Sequence, residues 1–297
     1  MERFLHYSYA QLRRSTGARG FIKSSAGDSK LKLEGVKDII AVASGKGGVG
    51  KSTTAVNLAV ALANRYQLKV GLLDADVYGP SIPMMMKIDQ KPDITLDKKM
   101  IPIESYKVKC MSMGILVDKD SAIVWRGLMV MNALKKMVWG VEWGDLDLLV
   151  VDMPPGTGDT QITITQTLQL SGAVIVSTPQ DAALMDTKRG IIMFSKVDVP
   201  IIGLVENMSY FKCPHCDKPS YIFGKEGTRK MGDEMGYSII GEIPIEVDVR
   251  KGSDEGEPIV ITAPNSAVSE AYHCLAHNVV KKLGLLNQSS YQPQINL

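Results

Sequence analysis

The sequence has little cysteine, few aromatic residues and almost no net charge. Its 297 residues include 4 Cys and 6% aromatic residues, and the formal net charge is +2. Four cysteines in a chain of this length do not make a disulfide scaffold. In a reducing compartment, cysteines at close spacing are typical of metal ligands or redox groups. No apolar run approaches the ~20 residues that span a bilayer, which argues against stable membrane insertion.

The two ends of the chain differ from the rest. Residues 1–27 are rich in arginine, serine and tyrosine and contain a single acid, Glu2, a composition typical of a mitochondrial or plastid transit segment. Without this segment the chain is close to neutral, which argues against a nucleic-acid-binding surface. Residues 287–297 are polar and are predicted to be a disordered tail.

Short apolar runs alternate with helix-like runs between these ends. The predicted strands are 38–44, 68–74, 108–113, 147–152, 173–178, 200–206 and 238–242, and the predicted helices are 51–65, 126–139, 160–170, 181–196, 226–236 and 266–283. Strands that are apolar on both faces are typical of parallel sheets covered by helices. The pattern predicts one α/β domain over 35–286, with a doubly wound, mostly parallel sheet and helices on both faces. The segment 79–107 is predicted to be an irregular excursion.

The segment Gly45–Ser52 matches the phosphate-loop pattern G-x-x-x-x-G-K-[ST], between a predicted strand and a predicted helix. Its glycines let backbone N–H groups converge on phosphate oxygens at the helix N-terminus. Lys51 is predicted to reach the β- and γ-phosphates of ATP, and the Ser52 hydroxyl to ligate Mg²⁺. The candidate nucleotide-binding residues are Gly45, Lys46, Gly47, Gly48, Val49, Gly50, Lys51, Ser52 and Thr53.

Carboxylates at predicted strand ends complete this site. Asp152 follows four apolar residues, which is the Walker B arrangement and predicts a place in the Mg²⁺ shell. Asp74 and Asp76 end another strand, where alternation puts both on one side, and a carboxylate there can orient a water or tune Mg²⁺. The turn Pro154–Gly156 has a glycine N–H that can sense a γ-phosphate and order the loop.

Lys46 is a second lysine, placed directly after the first glycine of the loop. One phosphate-loop lysine suffices to bind phosphate, so Lys46 is predicted to point outward to a nucleotide held by a partner subunit. There it would stabilise developing charge as an arginine finger does. This interpretation implies a homodimer.

Cys213 and Cys216 form a C-x-x-C pair, the spacing at which two thiolates clamp one metal or one edge of a cluster. Two ligands are not four, and a twofold dimer would supply the pair twice and complete a bridging [4Fe–4S] site. A shared Zn²⁺ and a redox dithiol are the alternatives. His215 is expected to be exposed rather than a ligand, and Cys110 and Cys274 to be buried and apolar in character.

These motifs together resemble the deviant-Walker-A, MinD/ParA-like P-loop ATPases, and within them the Mrp/Nbp-type iron–sulfur cluster carriers, over residues 35–283. The resemblance rests on Gly45–Thr53, Asp74–Pro80, Trp125–Gly127, Val151–Asp159, Ser177–Asp181 and Cys213–Cys216. No cysteine precedes Cys110, so the N-terminal cysteine cluster of cytosolic relatives is missing. This difference and the N-terminal segment favour the mitochondrial branch.

The resemblance implies an ATP-dependent carrier in the mitochondrial matrix that delivers a labile [4Fe–4S] cluster to apoproteins for assembly of respiratory complex I. By the same resemblance, nucleotide and Mg²⁺ are held by Lys51, Ser52 and Asp152, Lys46 acts across the dimer, Asp76 orients water, Asn207 reads adenine, and Cys213 and Cys216 hold the cluster. The alternatives are a positioning or partition ATPase and a zinc-stapled ATPase scaffold.

Overall fold

The computed structural model describes residues 32–116, 127–213, 215–216 and 218–285. The predicted N-terminal segment 1–27, the predicted tail 287–297 and the pair Trp125 and Arg126 lie outside these residues. None of the helices in the described ranges has both the length and the apolar character that crossing a bilayer requires.

The strands of the described residues form one nine-stranded sheet. They are β1 (Val36–Ser44), β2 (Val70–Asp74), β3 (Ile103–Ser105), β4 (Val108–Ser112), β5 (Leu146–Asp152), β6 (Gly172–Ser177), β7 (Ile201–Lys212), β8 (Pro219–Ser220) and β9 (Ile239–Ile245). Their order is β3-β4-β2-β5-β1-β6-β7-β8, and β9 also pairs with β7. The pairings are parallel except for β3 with β4 and β7 with β8.

Helices connect the strands and cover the sheet. They are α1 (Lys51–Arg65), α2 (Ile82–Met85), α3 (Met113–Leu116), α4 (Gly127–Trp139), α5 (Asp159–Thr167), α6 (Asp181–Lys196), α7 (Gly227–Met235), α8 (Val247–Glu255), α9 (Ile259–Thr262) and α10 (Ala267–Leu283). Helix α10 has good signals at both ends. The Ser266 hydroxyl accepts a hydrogen bond from the Ser269 N–H at its start, and Gly284 ends it in the left-handed conformation.

The sheet has a hydrophobic core on each face because neighbouring residues of a strand point to opposite sides. In β1, Ile40 and Val42 belong to the core that includes α1 and α10. Ile39 and Ala41 belong to the other core, which includes buried residues of α4, α5, α6 and α7. The prediction of a mostly parallel sheet with helices on both faces is therefore confirmed.

The predicted strands and helices are all present, with ends that differ by a few residues in most cases. The largest difference is in β7, which was expected to end at 206 and continues to Lys212. The excursion predicted at 79–107 contains α2 and β3, and the sequence analysis also missed α3, β8, α8 and α9. Most of these elements are only two to five residues long, too short for hydrophobic periodicity to reveal. Helix α8 is longer, but only Gly252 in it is buried.

Three neighbouring strands have their carboxyl ends at the same edge of the sheet. Strands β1, β2 and β5 are adjacent and parallel, and they end at Ser44, Asp74 and Asp152. Asp152 is the register partner of Asp74 on one side and of Val42 on the other. The phosphate-loop pattern and the two carboxylate motifs are thus neighbours in space, as parallel strands require.

Candidate functional site

The phosphate loop, defined here as Gly45–Ser52, joins β1 to α1. Gly50 adopts the left-handed conformation, with φ +78°, immediately before α1 begins. Gly45 lies against the backbone of α6, where an added Cβ would be 2.3 Å from the carbonyl carbon of Asp186. Both positions require glycine, the first for its conformation and the second for close approach.

A cleft of about 220 Å³ opens over this loop. An added Cβ at Gly47 or Gly48 would meet nothing within 4 Å, so the backbone there is accessible to a ligand. The cleft is lined by Ser44, Lys46, Gly47, Gly48, Gly50, Lys51, Ser52, Thr53, Asp76, Ser81, Met85 and Pro155. Most of the predicted phosphate-loop residues therefore face one cavity at a helix N-terminus, which is the arrangement that binds phosphate. Val49 is buried beneath it.

Lys51 and Asp152 form a buried ion pair in the cleft. The Lys51 Nζ donates a hydrogen bond to Asp152 Oδ1 at 2.5 Å and another to Ser52 Oγ at 3.1 Å. The side chains are 6% and 0% exposed. Among the described residues, Asp152 Oδ2 has no hydrogen-bond partner although it is buried. A buried carboxylate oxygen without a partner, next to a serine hydroxyl, is a donor set that suits Mg²⁺.

Asp74 and Asp76 have different surroundings. Asp74 is fully buried and accepts hydrogen bonds from the Ser112 hydroxyl at 2.9 Å and from the Ile82 N–H at 3.2 Å. The Asp76 N–H also donates to it, at 3.1 Å. The Asp76 side chain is partly exposed and lines the cleft. Asp74 thus fixes the loop that carries Asp76, and Asp76 is the carboxylate that a ligand would meet.

Burial disfavours the charged forms of the Asp74 and Asp152 carboxyl groups. Burial and the charge of Asp152 raise the pKa of Asp74 to about 7, against the opposing hydrogen bond from Ser112. Burial also raises the pKa of Asp152, while Lys51 acts in the opposite direction. The edge of the sheet therefore concentrates negative charge that a cation would stabilise.

The turn after Asp152 is tied to the phosphate loop. The Gly156 N–H donates to the Ser44 carbonyl at 3.0 Å. Gln161, which is buried in α5, donates to the carbonyls of Pro154 at 2.9 Å and Pro155 at 2.6 Å. Gln161 is not among the residues predicted from the sequence, because nothing in its local pattern shows that its amide turns back onto the prolines.

Lys46 belongs to the phosphate loop, and Asn207 contacts the loop from β7. Lys46 is partly exposed and lines the cleft, and the Ser44 hydroxyl donates to its carbonyl oxygen at 2.9 Å. Asn207, in β7, is 6% exposed, and its amide donates to the Val49 carbonyl at 2.8 Å. The roles predicted for them, across a dimer and at adenine, stay predictions.

The cysteine hairpin, defined here as the end of β7, the described residues Cys213, His215, Cys216 and Lys218, and β8, carries the C-x-x-C pair. The Cys213 N–H donates to the Lys218 carbonyl at 3.1 Å and closes the turn. Cys213 is half-buried, Cys216 is exposed, and neither is in a disulfide. His215 is exposed, as expected. In the part of the chain that the structure describes, no group of three or more His, Cys, Asp or Glu could hold a metal ion.

The other two cysteines do not complete this pair. Cys110 is fully buried in β4, and burial raises the pKa of its thiol, so the expectation of a buried, apolar cysteine is confirmed. The same expectation is wrong for Cys274, which is exposed on α10. Its helical position faces away from the core, which the neighbouring Tyr272 and Leu275 enter.

The fold and the phosphate loop define a P-loop NTPase of the MinD/ParA-like class. The family described as "ParA: NUBPL iron-transfer P-loop NTPase" matches residues 35–280. The chain belongs to this family of NUBPL iron-transfer P-loop NTPases.

Curated relatives agree with this family. The chain is 67% identical to the "Iron-sulfur protein required for NADH dehydrogenase, mitochondrial" of Arabidopsis thaliana, over 91% of this chain and 87% of that protein. It is 53% identical to the "Iron-sulfur cluster transfer protein NUBPL" of Mus musculus, over 84% of this chain and 79% of that protein.

Solved structures share the fold. A nucleotide-binding protein from Archaeoglobus fulgidus, solved with ADP, is 36% identical and has a TM-score of 0.70, covering 81% of this chain and 93% of that one. The cell division ATPase MinD of Pyrococcus furiosus is 24% identical, with a TM-score of 0.60 over 82% of this chain and 98% of that one. The second likeness concerns the fold alone.

Proposed function

We propose that this chain is an ATP-dependent iron–sulfur cluster carrier that binds a labile cluster and delivers it to recipient apoproteins. The observation that carries the proposal is an open cleft over the phosphate loop together with a C-x-x-C pair, of which Cys216 is exposed, on one chain of this family. The names of the Arabidopsis and mouse relatives support it. The Arabidopsis name also supports a mitochondrial location and assembly of respiratory complex I as the destination. That the carrier acts in the matrix is part of this proposal.

The nucleotide site has residues for each part of ATP binding. Backbone N–H groups of the phosphate loop and the Lys51 ammonium would hold the phosphates. Ser52 and the unpartnered oxygen of Asp152 would hold Mg²⁺, which neutralises phosphate charge when bound. Asp76 lines the cleft where it can orient a water, and Lys46 would reach the nucleotide of a second copy. Hydrolysis would be slow and would serve as a switch.

The cargo site needs two chains. One chain offers Cys213 and Cys216, and a homodimer offers four thiolates, the number that a [4Fe–4S] cluster requires. Because Cys216 is exposed, a recipient thiol could approach the cluster directly. A site that is shared between subunits and open to solvent suits a cluster that must leave again.

The test is anaerobic reconstitution of the full chain with iron and sulfide. Wild type is expected to hold about four irons and four sulfides per dimer, with the Mössbauer spectrum of a [4Fe–4S] cluster. Cys213→Ala is expected to hold none. Cys274→Ala removes a cysteine that is also exposed but lies on α10, and it is expected to load as wild type does. Loss of the cluster in both variants, or retention of zinc in wild type, would contradict the proposal.

A further inference from the structure

Strand β7 connects the two candidate sites. It is 12 residues long, and its inner part pairs in parallel with β6 and β9 inside the sheet. Its outer part extends to Lys212, directly before Cys213, and pairs with β8. Only the five residues 208–212 of this strand therefore separate Asn207, at the phosphate loop, from the first thiol.

The inner end of this connection is a close contact with the phosphate loop. The Asn207 amide nitrogen donates to the Val49 carbonyl at 2.8 Å and lies so close to Gly50 that an added Cβ there would be 2.1 Å away. The Val49 carbonyl belongs to the same loop backbone whose N–H groups would bind phosphate. Any change in the shape of that backbone on nucleotide binding acts on Asn207.

The next residue is conformationally strained. Met208 has φ +56°, in the left-handed region that residues other than glycine rarely adopt. The pairing with β9 also shifts register between Asn207 and Phe211. Such a conformation persists only where the surrounding structure enforces it, and it concentrates at functional sites. Met208 is thus a joint between the inner and outer parts of the strand.

The outer part is fixed beyond this joint. The Ser209 hydroxyl donates to the Ile243 carbonyl at 3.1 Å, and Phe211 is in register with Ile245 of β9 and Ser220 of β8. A displacement at Asn207 therefore has a short route to Cys213, through Met208 and then along the part of β7 that the contacts of Ser209 and Phe211 fix.

We infer that Asn207 is a positioning residue that couples the state of the phosphate loop to the geometry of the cysteine pair. The inference rests on the proposed function, since the coupling serves a carrier only if the pair holds the cargo. It names a path from nucleotide to cluster that runs through β7 rather than through the loops of Asp76 and Asp152. By reciprocity, cargo on the cysteines alters nucleotide affinity through the same contact.

The test measures thiol reactivity in the cluster-free full chain. Cys274→Ser is the background, so that Cys213 and Cys216 are the remaining thiols that are not fully buried. Alkylation rates of Cys213 and Cys216 by iodoacetamide are followed by peptide mass spectrometry, with no nucleotide, with ADP and with a non-hydrolysable ATP analogue. In the parent, nucleotide is expected to change these rates about fivefold or more, the usual scale of coupling between sites.

The informative variant is Asn207→Asp, which keeps the side-chain shape but replaces the amide donor by a group that only accepts. Because Asn207 is also predicted to contact adenine, the rates are measured at nucleotide concentrations that calorimetry shows to be saturating for the variant. Under these conditions we expect the response to nucleotide to fall below about twofold. The matched control is Asn278→Asp. The Asn278 amide donates to the Ile240 carbonyl, also at 2.8 Å, between α10 and β9, and this variant should keep the full response.

A full response in Asn207→Asp, or no response in the parent, overturns the inference. If Asn207→Asp no longer binds nucleotide, Met208→Gly decides instead, because glycine adopts the left-handed conformation without strain and loosens the joint. A response in Met208→Gly equal to the parent's then overturns the inference, and a reduced one supports it. Iron and sulfide contents are measured separately, so a failure to bind cluster counts against the proposed function and leaves the coupling result standing.

Discussion

At the phosphate loop Lys51 and Asp152 are buried and paired within one chain, whereas the described residues of the cysteine hairpin offer one half-buried and one exposed thiol and no group of three metal ligands. Lys51 and Asp152 are 6% and 0% exposed and contact each other, while Cys216 is open to solvent. The first site is shaped before any ligand arrives. The second depends on a partner, so association and cargo binding are expected to be linked there.

Of the variants that distinguish the phosphate loop from the cysteine hairpin, Lys51→Ala should change the free energy of unfolding most. It leaves the Asp152 carboxylate buried without its partner, which typically costs about 3–5 kcal/mol. The free energy of unfolding, from urea titrations, should fall by that amount, and calorimetry should detect no ATP binding. Cluster loading should persist, but transfer to an acceptor apoprotein should be slow.

The control for this variant is Lys188→Ala, whose ion pair with Glu234 is exposed on both sides and should contribute little. Equal transfer rates for Lys51→Ala and wild type, with ATP present, would contradict the role of nucleotide as a switch. The phosphate loop and the cysteine hairpin would then differ in burial but would not be linked by nucleotide.

Gly45→Ala should have an intermediate effect, confined to the phosphate-loop end. The added Cβ would be 2.3 Å from the backbone of Asp186, and overpacking of this kind costs about 1–3 kcal/mol. The temperature of thermal unfolding should fall, and the affinity for ADP should decrease. Gly47→Ala is the matched control, because its Cβ meets nothing within 4 Å and stability should be unchanged. Similar losses in both variants would show that the loop does not rest on α6 as described.

Cys216→Ser should have the smallest effect on stability and still abolish the cargo. The side chain is exposed, so the free energy of unfolding should change by less than about 0.5 kcal/mol. Iron and sulfide should be absent after reconstitution, while ADP binding is retained. A large loss of stability would mean that the thiol has a structural role and that the two ends are less independent than their burial indicates.

The sequence predicted the nucleotide end better than the hairpin end, for a physical reason. A phosphate loop is a local motif, and the strand before it and the helix after it follow from apolar patterns within about 30 residues. Asp152 could be placed because a strand end is also local. Asn207 contacts Val49, which is distant in sequence, and the Gln161 amide turns back onto the carbonyls of Pro154 and Pro155. Neither contact follows from a local sequence pattern.

The extension of β7 was missed for a similar reason. Residues 207–212 are polar and aromatic, without the apolar run that predicts a buried strand, and they are held by β8 and the end of β9. The short elements α2 and β3 likewise depend on tertiary contacts. The cysteine pair is evident from the sequence. That Cys213 directly follows the strand whose residue Asn207 contacts the phosphate loop is seen only in the structure.

The ion pair between Lys51 and Asp152 acts as a competitor that the chain carries with it. A phosphate that binds here has to compete with Asp152 for the Lys51 ammonium. Anions that interact weakly with the ammonium would therefore bind poorly. When the nucleotide leaves, Asp152 can pair with Lys51 again, so the buried ammonium does not lose its counter-charge. Re-formation of this ion pair would therefore assist release of the nucleotide from inside the site.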